Sequence, residues 1–114
     1  MAQVLLLAGL GFGDEGKGTC TDWLVREHKS QLVVRYNGGS QAAHNVVDGD
    51  KHHTFAQFGS GTLAGAKTYL SRFMLVEPLS LMREASALRD LGMWEPLSMM
   101  YVDRKATGSG CVAA

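Results

Sequence analysis

The chain has 114 residues, 46% hydrophobic and 19% charged, and its 11 basic and 11 acidic side chains give a formal net charge of zero. This length accommodates one small domain, and the composition is that of a folded chain. The lack of a basic surplus argues against a nucleic-acid-binding protein. Cys20 and Cys111 make no disulfide framework, which favours a reducing compartment.

Residues 4–8 form a continuous apolar run, VLLLA. Such a run is typical of a strand covered on both faces of a parallel sheet. It is too short to span a bilayer, and the basic region that opens a signal peptide is missing. We therefore expect a buried strand, no membrane association and a cytoplasmic protein.

The elements that follow alternate between helices and strands. Apolar spacing predicts a helix over residues 17–28 and a strand over 32–36. Asp48-Gly49 separates two short β-favouring runs, which predicts a hairpin. Farther along, we expect a loop over 59–65, a strand over 69–76, a helix that Pro78 opens and Gly92 ends, and a late strand over 99–102.

The glycine-rich residues 9–18 have the spacing of a phosphate-binding loop. Gly11, Gly16 and Lys17 fit the pattern GxxxxGK, although the final Ser or Thr is missing. Glycines let successive N–H groups surround an oxyanion, a following helix N-terminus adds partial positive charge, and lysine adds a full charge. The alternative is a glycine-rich turn capped by Asp14.

Asp14 and Glu15 are unusual in such a loop, because carboxylates repel a bare phosphate. Their presence indicates a metal ion, a cationic partner or a proton-transfer role. The expected fold is α/β, with a P-loop-like, mostly parallel sheet and flanking helices. In it, residues 4–8 and 32–36 are parallel neighbours joined by a right-handed crossover, and the loop lies at the carboxyl edge of the sheet.

Other candidate residues have simpler interpretations. Adjacent strand residues point to opposite faces, so His52-His53 is expected to be a solvated pair and not a metal site. Arg35 could reach a phosphate or lie at the surface. Packing roles are expected for Cys20, Trp23 and Trp94.

Several motifs, in order along the chain, resemble those of the adenylosuccinate synthetases. The run Gly13-Asp-Glu-Gly-Lys-Gly18 is similar to that family's signature. VVRYNGG at 33–39, with Ala42-Ala43-His44, resembles its segment VVRYxGGxNAGHT. GSGTL at 59–63 resembles its PSGIL stretch, and Val76-Glu77-Pro78 its next strand and helix. The resemblance covers roughly residues 1–105, the N-terminal segment of a family whose members are several times longer.

The resemblance implies a ligase of purine biosynthesis that joins L-aspartate to IMP, using GTP as co-substrate and Mg²⁺ as cofactor. The purine oxygen is phosphorylated first, and the aspartate amine then displaces the phosphate. The full-length protein is expected to be a homodimer. Two alternatives stay open: a truncated homologue that binds a nucleotide phosphate without ligase activity, and a member that uses a different purine nucleotide.

The resemblance also assigns roles to individual residues. Asp14 matches the residue that removes the purine N1 proton and contacts Mg²⁺, and His44 matches the acid that supports γ-phosphate transfer. The carbonyl of Ala43 matches a second Mg²⁺ ligand. The expected nucleotide contacts are Gly13, Asp14, Glu15, Gly16, Lys17, Gly18 and Thr19, together with Gln41, Ala42, Ala43, His44 and Asn45.

Three positions depart from the family pattern and bear on the choice of substrate. Thr19 replaces the usual lysine, Gln41 the usual asparagine, and Ala43 a glycine. A branch of the family that acts on a guanine nucleotide lacks the loop aspartate, which is present here as Asp14.

The chain divides at residue 106. Residues 1–106 are expected to be the nucleotide-phosphate-binding part, and residues 107–114 are a tail of small residues without pattern. The segments that recognise guanine and bind aspartate in the family are missing. We therefore expect this chain alone to be inactive as a ligase, and its incomplete sheet to expose apolar surface.

Overall fold

The computed structural model describes residues 3–11, 16–38 and 44–108. From residue 17 onwards, the helices, the hairpin and the strands occur in the order that the sequence predicts. In chain order the elements are α1 (Lys17–His28), β1 (Leu32–Gly38), β2 (His44–Asp48), β3 (Lys51–Phe55), a 3₁₀ turn (Thr62–Ala64), β4 (Lys67–Val76), α2 (Pro78–Asp90), a second 3₁₀ turn (Pro96–Met99), β5 (Met100–Val102) and β6 (Thr107–Gly108).

The main sheet is parallel and is built around β4. Strand β1 lies on one side of β4, with Leu32 beside Lys67 and a register shift between Arg35 and Asn37. Strand β5 lies on the other side, and the short β6 pairs with the last two residues of β4. Every ladder of this sheet is parallel, which confirms the predicted α/β fold with a mostly parallel sheet.

Strands β2 and β3 form the predicted antiparallel hairpin. The ladder runs from His44 opposite Phe55 to Asp48 opposite Lys51. Gly49 begins the connecting turn with φ of 59°, a left-handed conformation that glycine adopts without a steric penalty.

Helix α2 provides the apolar face that its sequence predicts. Pro78 is its first residue, where its missing N–H costs no helical hydrogen bond. Ala85 and Leu88 are fully buried in a core with Val46, Phe55 and Phe58. The helix ends at Asp90, and Gly92 follows with φ of 96°.

Residues 59–61 fit closely between α1 and the main sheet. A Cβ added to Gly61 would lie 2.5 Å from Cγ2 of Val25 on α1, and one on Gly59 would lie 3.0 Å from Cβ of Val33 on β1. The Gly59 N–H also donates to Oγ1 of Thr68 on β4 at 2.9 Å. The two glycines therefore permit α1 and the sheet to approach through this loop.

The prediction of a buried strand over residues 4–8 is wrong. Residues 3–10 are exposed and belong to neither helix nor strand, and Val4 and Leu6 are 82% and 95% exposed. A central parallel strand needs a ladder partner and apolar cover on both faces. In the described ranges β1 pairs with β4 and not with this segment, so the expected crossover between residues 4–8 and 32–36 does not form.

One face of the main sheet is open, as expected for an incomplete sheet. Tyr36 and Phe73 lie on it with ring centroids 5.0 Å apart, and other large apolar side chains beside them are exposed: Leu32, Val34, Leu75 and Tyr101. Parallel sheets normally have both faces covered, and the exposed apolar side chains here agree with the predicted apolar surface. None of the described helices is long and apolar enough to cross a bilayer.

Three side chains that were expected to pack are exposed. Cys20 is an exposed free thiol, and Trp23 and Trp94 are 57% and 84% exposed. The helical spacing places Cys20 and Trp23 on α1 correctly, but α1 buries only Gly18 and Val25.

Substitution of Gly61 tests the close approach of α1. We expect Gly61→Ala to lower the free energy of unfolding by about 1–3 kcal/mol, because the new methyl group overlaps Val25. Urea denaturation measures this loss. Gly108→Ala is the matched control, since a Cβ there meets no atom within 4 Å. Equal stability of the two variants would contradict the packing described here.

Asp103 supports the turn that follows β5. Its Oδ1 accepts the N–H of Lys105 at 2.8 Å, and its Oδ2 accepts the hydroxyl of Tyr69 at 2.7 Å. These two donors, the Lys105 N–H first, lower the pKa of Asp103 below its ordinary value. Stability from the ionised carboxylate is therefore fully present above the ordinary carboxyl pKa of about 3.9 and is lost as the pH falls through the lower folded-state value.

Replacing Asp103 tests this pH dependence. Asp103→Asn is expected to lower the Tm at neutral pH. The difference in Tm from the parent chain should narrow as the pH falls below about 4 and through the lowered folded-state pKa of Asp103. Thermal melts followed by circular dichroism across this range measure the difference. A difference in Tm that stays constant with pH would show that the charge of Asp103 does not contribute to stability. Asp90→Asn, an exposed change on α2, is the control.

Candidate functional site

The end of the glycine-rich loop leads directly into helix α1. Gly16 adopts φ of 76° and precedes Lys17, the first helical residue. The carbonyl of Gly16 accepts the N–H of Cys20 at 3.0 Å, which closes the first turn. No side-chain hydrogen bond caps this helix among the described residues. The first-turn amides carry the helix's partial positive charge, so this end of α1 is suited to an anion.

Lys17 and Gly18 lie on the first turn of α1. Lys17 is half-buried, and Gly18 is buried. The hydroxyl of Thr21 donates to the Lys17 carbonyl at 2.7 Å, which further orders this turn. Gly13, Asp14 and Glu15, with Gln41, Ala42 and Ala43, lie outside the described residues.

His44 is the first residue of β2. Its backbone lies opposite Phe55, and that of Asn45 lies opposite Thr54. Helix α1 packs against β2 and against the 3₁₀ turn Thr62–Ala64. The structure therefore brings the helix that begins at Lys17 and the strand that begins at His44 into contact. The roles that the resemblance assigns to Asp14 and His44 require both side chains to face one cleft. This stays a prediction, because Asp14 lies outside the described residues.

Glu84 was not among the residues predicted from the sequence, yet it accepts more hydrogen bonds than any other side chain whose bonds are described. Its carboxylate, 5% exposed, accepts three successive backbone N–H groups, those of Ala56, Gln57 and Phe58, at 3.0, 2.8 and 3.2 Å. Successive amides of this kind form a concave anion-binding surface. The available signal was its place on the apolar stripe of α2, three residues after Leu81 and four before Leu88.

Two further polar side chains join elements near Glu84. The buried Gln57 accepts the Glu77 N–H at 2.9 Å and donates to the Glu77 carbonyl at 2.8 Å. Arg35 donates from Nη1 to the carbonyl of Ala56. Burial lowers the pKa of Arg35, and the negative charge of Glu84 opposes that shift. Arg35 is thus half-buried and contacts backbone, so the expected surface position is wrong, and contact with a phosphate stays a prediction.

The two adjacent histidines lie in different environments. His52 is exposed, as predicted, but the prediction of a solvated pair is wrong for His53, which is buried. Nε2 of His53 lies 3.4 Å from Oε1 of Glu84, and its ring packs edge-on against Phe55. Alternation along β3 turns one ring to solvent and the other to the core. Among the described residues no group of three His, Cys, Asp or Glu could hold a metal.

The contacts of Gln57 generate a stability prediction. Gln57→Leu removes the acceptor of the Glu77 N–H, and we expect a loss of about 1–3 kcal/mol in unfolding free energy. The Glu77 carbonyl still accepts the N–H of Leu81 at 2.9 Å. The loss of stability therefore arises mainly from the backbone N–H of Glu77, which is left without its acceptor. Urea denaturation measures the loss, with the exposed Gln31→Leu as control. A gain in stability would mean that the packing of the leucine outweighs these bonds.

The sequence matches one family over most of its length. A sequence model of the family described as adenylosuccinate synthetase matches residues 6–108. An adenylosuccinate synthetase of Borrelia duttonii is 39% identical over 87 residues, which are 76% of this chain and 20% of that protein. An adenylosuccinate synthetase of Desulforudis audaxviator is 38% identical over 105 residues, 91% of this chain and 24% of that protein. The chain thus spans a fifth to a quarter of the length of these relatives.

The fold agrees with the sequence match. A fully ligated adenylosuccinate synthetase from Plasmodium falciparum superposes with a TM-score of 0.72 and 30% sequence identity, over 84% of this chain and 22% of that one. The parallel sheet and the helix that follows the glycine-rich loop are therefore parts of a known architecture. By its motifs, its sequence match and its fold, the chain belongs to the adenylosuccinate synthetase family.

Proposed function

We propose that this chain is the nucleotide-phosphate-binding part of a GTP-dependent ligase that joins L-aspartate to IMP. The observation that carries the proposal is the loop-to-helix junction at Gly16 and Lys17, which lies within the family match over residues 6–108. The left-handed conformation of Gly16 turns the chain into α1 without a side chain in the way. The resulting helix end offers amides and a lysine to phosphate oxygens.

In the proposed reaction, Asp14 and His44 have separate tasks. Asp14 takes the proton from N1 of IMP, which makes the purine oxygen a better nucleophile towards the γ-phosphorus of GTP. A protonated His44 donates a hydrogen bond to the oxygen of GDP as the bond to the γ-phosphate breaks. Lys17 and the amides of the first turn of α1 offset the negative charge of the phosphates. The aspartate amine then displaces the phosphate from the purine.

The proposed Mg²⁺ contacts are the Asp14 carboxylate and the Ala43 carbonyl. A carboxylate and a carbonyl are the oxygen donors that Mg²⁺ prefers, together with substrate phosphates and water, so the donor set fits this ion. When bound, Mg²⁺ neutralises charge on the transferred phosphoryl group. The remaining proposed contacts follow the two segments named from the sequence, residues 13–19 and 41–45.

The wider assignments are also proposals. Residues 1–106 form the nucleotide-phosphate part and residues 107–114 a separate tail, although Thr107 and Gly108 pair with the end of β4. The complete protein is proposed to be a cytoplasmic homodimer with IMP, GTP and L-aspartate as its substrates. Support comes from the family match and from the relatives of the same name.

A second candidate function is phosphate binding without ligation by this chain alone. The supporting observation is its length, since it spans 20% to 24% of the relatives. Positioning of the reactants can lower the activation free energy by about 7–11 kcal/mol. A chain that has the phosphate loop without the family's aspartate-binding and guanine-binding segments is therefore expected to bind GTP weakly and to turn it over very slowly.

Substitution of Lys17 tests phosphate binding. We expect the purified chain to bind GTP in the presence of Mg²⁺, and Lys17→Ala to weaken binding about tenfold or more, because a charge-assisted contact is lost. Isothermal titration calorimetry measures both dissociation constants. Lys105→Ala, in the exposed turn after β5, is the control and should bind as the parent does. Equal affinities for the Lys17 and Lys105 variants would remove the loop from the proposed site.

The same preparation separates the two candidate functions. Phosphate release from GTP, with IMP, L-aspartate and Mg²⁺ present, should stay near the background rate. Robust turnover that disappears in Asp14→Asn would show that this chain carries a sufficient active site, and the binding-only candidate would be rejected.

A further inference from the structure

Ala56 directly follows strand β3 and is bonded from two sides. Its N–H donates to Oε1 of Glu84 on α2 at 3.0 Å, and its carbonyl accepts from Nη1 of Arg35 on β1. We call Arg35, Ala56 and Glu84 the Ala56 clamp. The clamp joins the end of β3 to the main sheet and to α2 at the same residue.

The clamp is adjacent to the residue that pairs with His44. Phe55, one residue before Ala56, is the cross-strand partner of His44 and is fully buried. The antiparallel ladder sets the position of His44 relative to Phe55. Since the clamp sets where β3 ends, it also sets where the backbone of β2 begins.

Burial of the charged side chains of the Ala56 clamp costs free energy, because each of them loses hydration. The Glu84 side chain is 5% exposed, and Arg35 is half-buried. Well-packed apolar side chains of similar volume often stabilise a fold as well as a buried ion pair does or better. Directional hydrogen bonds to both the N–H and the carbonyl of one residue give what apolar packing lacks, a fixed position for the backbone at that residue. The clamp is therefore better suited to positioning than to stability alone.

We propose that Arg35 and Glu84 are positioning residues for the nucleotide site, which place His44 through Ala56 and the ladder between β2 and β3. The inference rests on the proposed function, because that function gives His44 its role beside the phosphates. Neither side chain needs to touch the nucleotide. Each acts on His44 through a backbone that the structure connects by hydrogen bonds.

Nuclear magnetic resonance of the full chain tests the structural part of the proposal. In Glu84→Gln, the Gln57 N–H loses the carboxylate oxygen Oε2, so its hydrogen exchange should accelerate at least about tenfold. The backbone amide and ring resonances of His44 should also shift, while the amides of Lys17 and Thr21 on α1 keep their positions. Asp90→Asn, an exposed carboxylate on the same helix, should change neither set.

A double-mutant cycle on GTP affinity tests the functional part. Glu84→Gln alone should weaken GTP binding about threefold to tenfold. In the His44→Ala background the same substitution should have little further effect, because the residue through which Glu84 acts is gone. If Glu84 only stabilised the fold, Glu84→Gln would weaken GTP binding by the same factor in the parent chain and in His44→Ala.

The outcomes separate this inference from the proposed function. A parent chain that does not bind GTP contradicts the proposed function, and the His44 resonances still decide whether the clamp positions that residue. Unmoved His44 resonances, with Gln57 exchanging freely, would overturn the inference. If Glu84→Gln gives no dispersed spectrum, Arg35→Lys carries the test from the other side of Ala56. Arg35→Lys should also shift the resonances of His44. A folded Arg35→Lys chain with unchanged His44 resonances would contradict the positioning role of the clamp.

Discussion

The carboxylate of Glu84 occupies a concave surface made by the amides of residues 56–58. A charged group with so little exposure is tolerated only when hydrogen bonds replace the water it has lost. Those bonds come from the segment that connects β3 with the loop at residues 59–61. That loop contacts Val25 of α1 and Val33 of β1. The relative positions of α2 and the hairpin therefore depend on one buried side chain and the backbone that surrounds it.

Sequence patterns predicted the elements that depend mainly on neighbouring residues, which are α2 and the hairpin of β2 and β3. The helical spacing and the positions of Pro78 and Gly92 predicted α2 to within one residue at its end. Asp48-Gly49 predicted the hairpin, since the turn needs a left-handed glycine. The ordered motifs predicted the family, because several short matches at compatible spacings are far more specific than a single glycine-rich loop. The conformation of Gly16 before α1 agrees with the loop interpretation.

The misses involve contacts between distant parts of the chain. The apolar run at residues 4–8 has the composition of a central strand, but among the described residues it has neither a ladder partner nor apolar cover. Composition cannot report whether those partners are present. Glu84 was missed for the converse reason, since a glutamate is almost never fully buried unless it is paired. His53 was expected to be solvated, although it lies in the core. Only the fold shows that three backbone amides and a histidine ring surround the Glu84 carboxylate.

The proposed function requires the junction of loop and α1 to bind nucleotide phosphate next to the start of β2. A titration of the ¹⁵N-labelled chain with Mg²⁺ and GTP, followed by amide chemical shifts, tests it most directly. The amides of Gly16, Lys17 and Gly18 and the amide of His44 should shift together with a single dissociation constant. Shifts confined to the opposite end of α1, around Lys29, or unchanged amides at both Lys17 and His44, would contradict it.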